Sequence, residues 1–139
     1  KQGRAERFYQ EFLVWRRFHA DIDMTLVTGN HDLKAGPLSS DSLIVEESEP
    51  WIYGPFALCH HPQTHETGHV LCGHLHPAVV LEGTARQALK LPCFWIGQQM
   101  TMLPAFGEFT GCAKISPTSR DRVLVVAGDE LHEPSTSVS

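Results

Sequence analysis

Three short polar clusters carry most of the chemistry available to this chain: Gly29-Asn30-His31-Asp32, Cys59-His60-His61-Pro62 and Gly73-His74-Leu75-His76. Nine histidines occur in 139 residues, and seven of them fall between His31 and His76. Neutral imidazole nitrogens and an amide oxygen are good ligands for borderline divalent metals such as manganese, iron or zinc. On an extended segment, the spacing of His74 and His76 points both rings to one face. The glycines ahead of Asn30 and His74 permit sharp turns that aim these side chains. Each cluster also has a plainer reading, since Gly-Asn and His-Asp form turns and adjacent histidines are common surface residues. Their joint occurrence, each behind a short apolar run, favours a metal site. A Cys/His structural zinc site is the rival, because Cys59 and Cys72 adjoin the histidines. Against it stands the lack of tight Cys-x-x-Cys or His-x-x-x-His pairs. His19 is read as a solvent-facing helix-end residue, and His65, His69 and His132 as ordinary loop residues.

The elements that must position these clusters are short. Apolar runs at 24–27, 56–59 and 70–72 precede the three clusters and read as strands. Residues 4–19 read as an amphipathic helix, with Ala5, Phe8, Phe12, Trp15 and His19 along one face. A helix, a strand and then a polar glycine-containing loop is α/β architecture, in which functional residues gather beyond strand C-termini. Residues 33–41 read as loop. Further strands are expected at 42–45, 51–53, 79–81, 89–96, 99–103, 113–115 and 122–126, separated by Gly, Pro and polar turns. No repeat or linker is visible, so 1–130 reads as a portion of one domain and 131–139 as a disordered tail.

Composition sets the outer bounds. Hydrophobic residues at 42% and charged residues at 19% fit a soluble globular protein and exclude collagen-like, coiled-coil or disordered chains. No apolar run approaches the ~20 residues of a membrane-spanning helix. Sixteen acidic against eleven basic residues give a net charge of −5, which argues against a general polyanion-coating protein. Any phosphate contacts would be local, with Arg16, Arg17, Arg86 and Lys90 as candidates. The four cysteines include no Cys-x-x-Cys pair and read as thiols of a reducing, cytoplasmic setting.

Taken together, the clusters resemble the calcineurin-like metallophosphoesterases. That family's pattern runs Asp-x-His, Gly-Asp, Gly-Asn-His-[Asp/Glu], His and Gly-His-x-His. The chain carries the last three elements in order, at residues 29–32, at His60 and at residues 73–76. It is most similar to the PdeM subfamily of ligase-associated DNA damage response endonucleases. The similarity runs through Trp15-Arg16-Arg17, Gly73-His74-Leu75-His76-Pro77, Ala85-Arg86-Gln87, Leu91-Pro92-Cys93-Phe94-Trp95 and the stretch 103–111.

The resemblance implies an α/β fold, the C-terminal portion of a four-layer αββα sandwich. It is incomplete because Asp-x-His and Gly-Asp are missing: upstream of Asn30 the only carboxylates are Glu6, Glu11, Asp21 and Asp23. Roughly 70 to 90 residues of such a domain are therefore expected ahead of Lys1. By the same resemblance, Asn30, His60 and His74 bind the second metal and His76 the first. His31 is the acid or substrate-orienting residue, Asp32 holds its ring, and His61 receives no role. The implied cofactors are two divalent metal ions, manganese first, with iron or zinc as alternatives. The implied activity is two-metal hydrolysis of DNA phosphodiester bonds in DNA repair, alongside a DNA ligase, an exonuclease and a helicase-like protein. Lacking the bridging carboxylate, the chain alone is expected to be inactive. The alternatives are a phosphodiesterase or phosphatase for small phosphoesters, and a non-catalytic metal-binding interaction module.

Overall fold

The computed structural model describes residues 2–82, 88–107 and 111–134. The chain forms two compact units, residues 1–48 and 49–139, although its sequence shows no linker at that point. It is an α/β protein with a large multi-strand sheet and few helices.

In the first unit, α1 (Gln2–Phe18) is built from good helix formers and ends on Arg16 and Arg17, which complement the helix dipole. Arg7 pairs with Glu11 one turn on, at 2.9 Å. The buried face is not the predicted stripe. Leu13 and Arg16 point inward, while Phe8 and Trp15 are 55% and 44% exposed. The Arg16 guanidinium sets this orientation. It donates to the carbonyl oxygens of Ser42 (3.1 Å), Ile22 (2.7 Å), Leu43 (3.0 Å) and His19. Those carbonyls belong to chain that has left the helix and returned, so the guanidinium takes the place of a small apolar core. Tyr9, Phe12, Trp15 and His19 stack as a ladder along α1, so His19 is a half-buried ring-stacking residue rather than a solvent-facing one.

Strand β1 (Met24–Val27) pairs in parallel with β2 (Ile44–Glu47), Met24 opposite Ile44 and Val27 opposite Glu47. The connection read as loop contains α2 (Asn30–Ala35) and one 3-10 turn, Ser40–Ser42. Six residues are too few for a hydrophobic period to show. The signal was chemical instead. Asp32, three residues into α2, accepts the Gly29 N–H at 2.8 Å and caps the helix. Gly36, at φ +87°, ends it in a conformation that glycine adopts readily.

The second unit holds β3 (Trp51–Tyr53), β4 (Phe56–Cys59), β5 (His69–Cys72), β6 (Pro77–Glu82), β7 (Ala88–Ile96), β8 (Met100–Met102), β9 (Ala113–Lys114), β10 (Arg122–Ala127) and β11 (Glu130–His132). The main path runs β11-β10-β7-β8-β5-β4-β3, and β6 joins β7 to β9. Within it β4, β5 and β8 are parallel, while β3 and β7 flank them antiparallel. The nine-residue β7 changes partners at Pro92: residues 88–92 pair with β6, and 93–96 with β10. A proline carries no N–H for the ladder, which suits it to that switch.

Alternation along the strands yields two buried clusters. One is Ala57, Cys59, Val70, Cys72 and Met102; the other is Val79, Cys93, Ile115, Val123 and Val125, with Trp95 packed against both. The segment read as a disordered tail begins with β11, which pairs Leu131 with Val126 and His132 with Val125. His69, read as a loop residue, opens β5 and meets the Thr101 hydroxyl at 2.9 Å. Arg86, with the rest of Ala85-Arg86-Gln87, lies outside the described residues, as do residues 108–110 and 135–139. No helix among the described residues is long and apolar enough to cross a membrane.

Candidate metal centre

The register of β4 on β5 builds the site. Cys59 and Cys72, the last residues of the two parallel strands, are direct partners. Whatever follows each strand therefore emerges at one sheet edge. The Gly73 N–H donates to the His60 carbonyl at 3.2 Å, extending the pairing past the strands. One residue further on, His60 Nε2 and His74 Nδ1 come within 2.9 Å. The His61 ring completes a triangle, its centroid 4.6 Å from that of His60 and 4.5 Å from that of His74. One ligand nitrogen from each ring lies within 4.8 Å of the others, and all three residues are half-buried. This is the group of three or more metal-ligating side chains found among the described residues.

The turn that turns His74 inward is not made by glycine. His74 has φ +66° and His76 φ +51°, whereas Gly73 is not in the left-handed region. Histidine is among the residues that tolerate this region, at a cost of about 1–3 kcal/mol per residue. Two left-handed residues also undo the extended His-x-His geometry. His76 instead places Nδ1 2.8 Å from the Gly111 carbonyl, leaving the three-histidine group without it.

Glu49, to which the sequence drew no attention, underlies the cluster. Its Oε1 lies 2.5 Å from His61 Nδ1, and its Oε2 accepts the backbone N–H groups of His60 at 2.7 Å and His61 at 2.8 Å. Burial pushes the Glu49 carboxyl up, but the bonds from the His61 ring and from the two backbone N–H groups outweigh it. The net result is a pKa below the ordinary value. Glu49 lies 11 residues before His60 with no motif around it. Only the pairing of β3 with β4 brings it back.

The remaining candidates sort differently. Asn30, His31 and Asp32 occupy the first turn of α2 in the first unit, with His31 exposed and the Asp32 carboxylate engaged by Gly29 N–H. Cys59 and Cys72 face the core, their Sγ atoms near the carbonyls of Ala57 and Thr101. Burial, with Cys59 and Glu49 adding, pushes the Cys72 thiol up to about 11. Both thiols point away from the histidines, which counts against the Cys/His reading. Arg16 is buried and bound to carbonyls, and the Lys90 ammonium donates to the Cys112 carbonyl at 2.6 Å. Of the proposed phosphate contacts, Arg17, 3.7 Å from Asp41, and Lys90 are exposed.

Among solved structures, the chain is similar to the crystal structure of Pseudomonas putida nuclease MPE, with 41% identity and a TM-score of 0.79. The match covers 89% of this chain and 60% of that one, so the chain spans about three-fifths of the nuclease's length. The architecture is thus a partial form of that nuclease's α/β fold. No protein-family model and no curated protein matches the chain.

Proposed function

We propose that this chain is part of a metal-dependent nuclease that hydrolyses DNA phosphodiester bonds. The observation carrying the reading is the convergence of His60, His61 and His74 at one sheet edge, in a chain 41% identical to a nuclease. His60 Nε2 and His74 Nδ1, 2.9 Å apart, are near enough to act as ligands of one ion. Three imidazoles suit manganese, iron or zinc, and we take manganese as the native ion on the family resemblance. Bound there, such an ion supplies Lewis acidity toward a phosphoester and lowers the pKa of a bound water.

In this reading His60 and His74 hold the ion and His61 approaches it from the third side. The assignment of Asn30 to the same ion, and of His76 to the other ion of a pair, rests on the sequence resemblance alone. His31, exposed on α2, protonates the leaving oxygen, a task suited to an imidazole near neutral pH. Asp32 then acts through α2, whose first turn it fixes. Membership of the PdeM subfamily, and with it a place in DNA repair beside a ligase, an exonuclease and a helicase-like protein, rests on the sequence resemblance. The net charge of −5 keeps a small phosphodiester in view as the second substrate class.

The test is manganese-dependent hydrolysis of bis-p-nitrophenyl phosphate, with single-stranded DNA as competitor, by this chain and by a longer product of the same gene. The longer product is expected to turn over, to be inhibited by DNA and to lose activity in His74→Ala. The 139-residue chain is expected to be silent, since its three-histidine group includes no bridging carboxylate. Full activity in His74→Ala would overturn the site, and indifference to DNA would move the substrate to the small class.

A further inference from the structure

Glu49 has no place in the metal-ligand pattern, yet it makes more bonds to the histidine cluster than any other side chain described there. One oxygen receives the N–H groups of two consecutive residues, His60 and His61, and the other lies 2.5 Å from His61 Nδ1. Gln63 Nε2 adds a fourth donor at 3.5 Å. The Glu49 side chain is 23% exposed, so these bonds compete with little water. We infer that Glu49 is the positioning carboxylate of the site: it fixes His61 as the Nδ1–H tautomer and so leaves His61 Nε2 as the lone pair available to a cation.

A carboxylate offers only acceptors, so a 2.5 Å approach to a ring nitrogen requires the proton on that nitrogen. A neutral imidazole with hydrogen on Nδ1 has its single lone pair on Nε2. Metal-bound histidines almost always donate their other N–H to a carboxylate or carbonyl, which orients the ring and raises its basicity. Oε2 does a separate job, gathering the two N–H groups just beyond β4 and fixing where His60 and His61 leave the sheet edge. The first oxygen sets a ring and the second sets a backbone. Glu49 also brings a negative charge beside the three rings, favouring a dication over a monocation or none.

For its metal readout this inference rests on the proposed site; for its tautomer readout it does not. The experiment is long-range 1H–15N NMR of the histidine rings in the metal-free chain, with calorimetric titration of Co2+, on wild type, Glu49→Gln and Glu49→Asp. Wild-type His61 is expected as the Nδ1–H tautomer. Glu49→Gln, which can present an N–H to the ring, is expected to shift His61 toward Nε2–H and to weaken Co2+ binding about 10- to 100-fold. Glu49→Asp, a charged variant one methylene shorter, is expected to recover part of both and stands in should Glu49→Gln not fold. A purely structural Glu49 predicts a lower unfolding midpoint with tautomer and affinity unchanged, and that result overturns the inference. Wild-type His61 found as Nε2–H overturns it as well. Absence of Co2+ binding in wild type with the expected tautomer change refutes the metal site and upholds Glu49 as the group that sets the ring.

Discussion

His60 Nε2 and His74 Nδ1 stand 2.9 Å apart, although the two residues are fourteen positions apart in sequence. In the absence of a cation one proton must be shared across that gap; a divalent ion would satisfy both lone pairs at once. Metal binding is therefore expected to stabilise the fold. With Zn2+ or Co2+ at a hundred times its dissociation constant, mass action adds about 2.7 kcal/mol. Thermal or urea unfolding with and without the ion measures it. The increment should vanish in His60→Ala and in His74→Ala, whereas His132→Ala should keep it.

The three polar clusters and most strands were legible because each strand ends at a polar or glycine punctuation, and β1, β3 and β4 have the expected bounds. Which clusters meet was legible only in part. His60 and His74 follow strands that pair in parallel, and strand-end placement predicts their meeting. The shared facing of His74 and His76 was not legible, because two left-handed residues replaced the extended segment on which alternation depends. That His61 was given no role, and Glu49 no attention, has another reason. Their pairing depends on β3 folding back on β4, a long-range event that no local spacing encodes.

Arg16 marks the limit of reading residue types one at a time. Arginine beside Arg17 at the end of an amphipathic helix suggested a phosphate contact. Burial to 2% exposure with four carbonyl partners makes it a clasp between α1 and the chain around Ile22 and Ser42. Hydrogen bonds from a charged donor contribute about 1.5–3 kcal/mol each, and stranded buried carbonyls add to the loss. Arg16→Leu is expected to destabilise the chain by about 3 kcal/mol or more. Amide hydrogen exchange should show the loss as faster exchange along α1 and β1. Arg16→Lys should recover only part, since an ammonium lacks the planar fork that reaches several carbonyls.

Acid sensitivity is expected from Asp121, at the entrance to β10. Its Oδ2 accepts the Thr118 N–H at 2.7 Å and the Thr118 hydroxyl at 2.9 Å. The Thr118 N–H holds the carboxyl below its ordinary 3.8. Burial opposes this, and the Thr118 hydroxyl and the nearby Trp95 indole assist. A depressed folded-state value means the unfolded chain binds the proton more readily, so the stability this group contributes is complete above 3.8 and disappears as pH falls through the lower folded value. Urea midpoints at pH 7 and pH 3 measure it. Wild type should lose more stability across that interval than Asp121→Asn, which should begin less stable at pH 7 and vary less with acid. Equal losses in the two proteins would assign the acid sensitivity to other carboxylates.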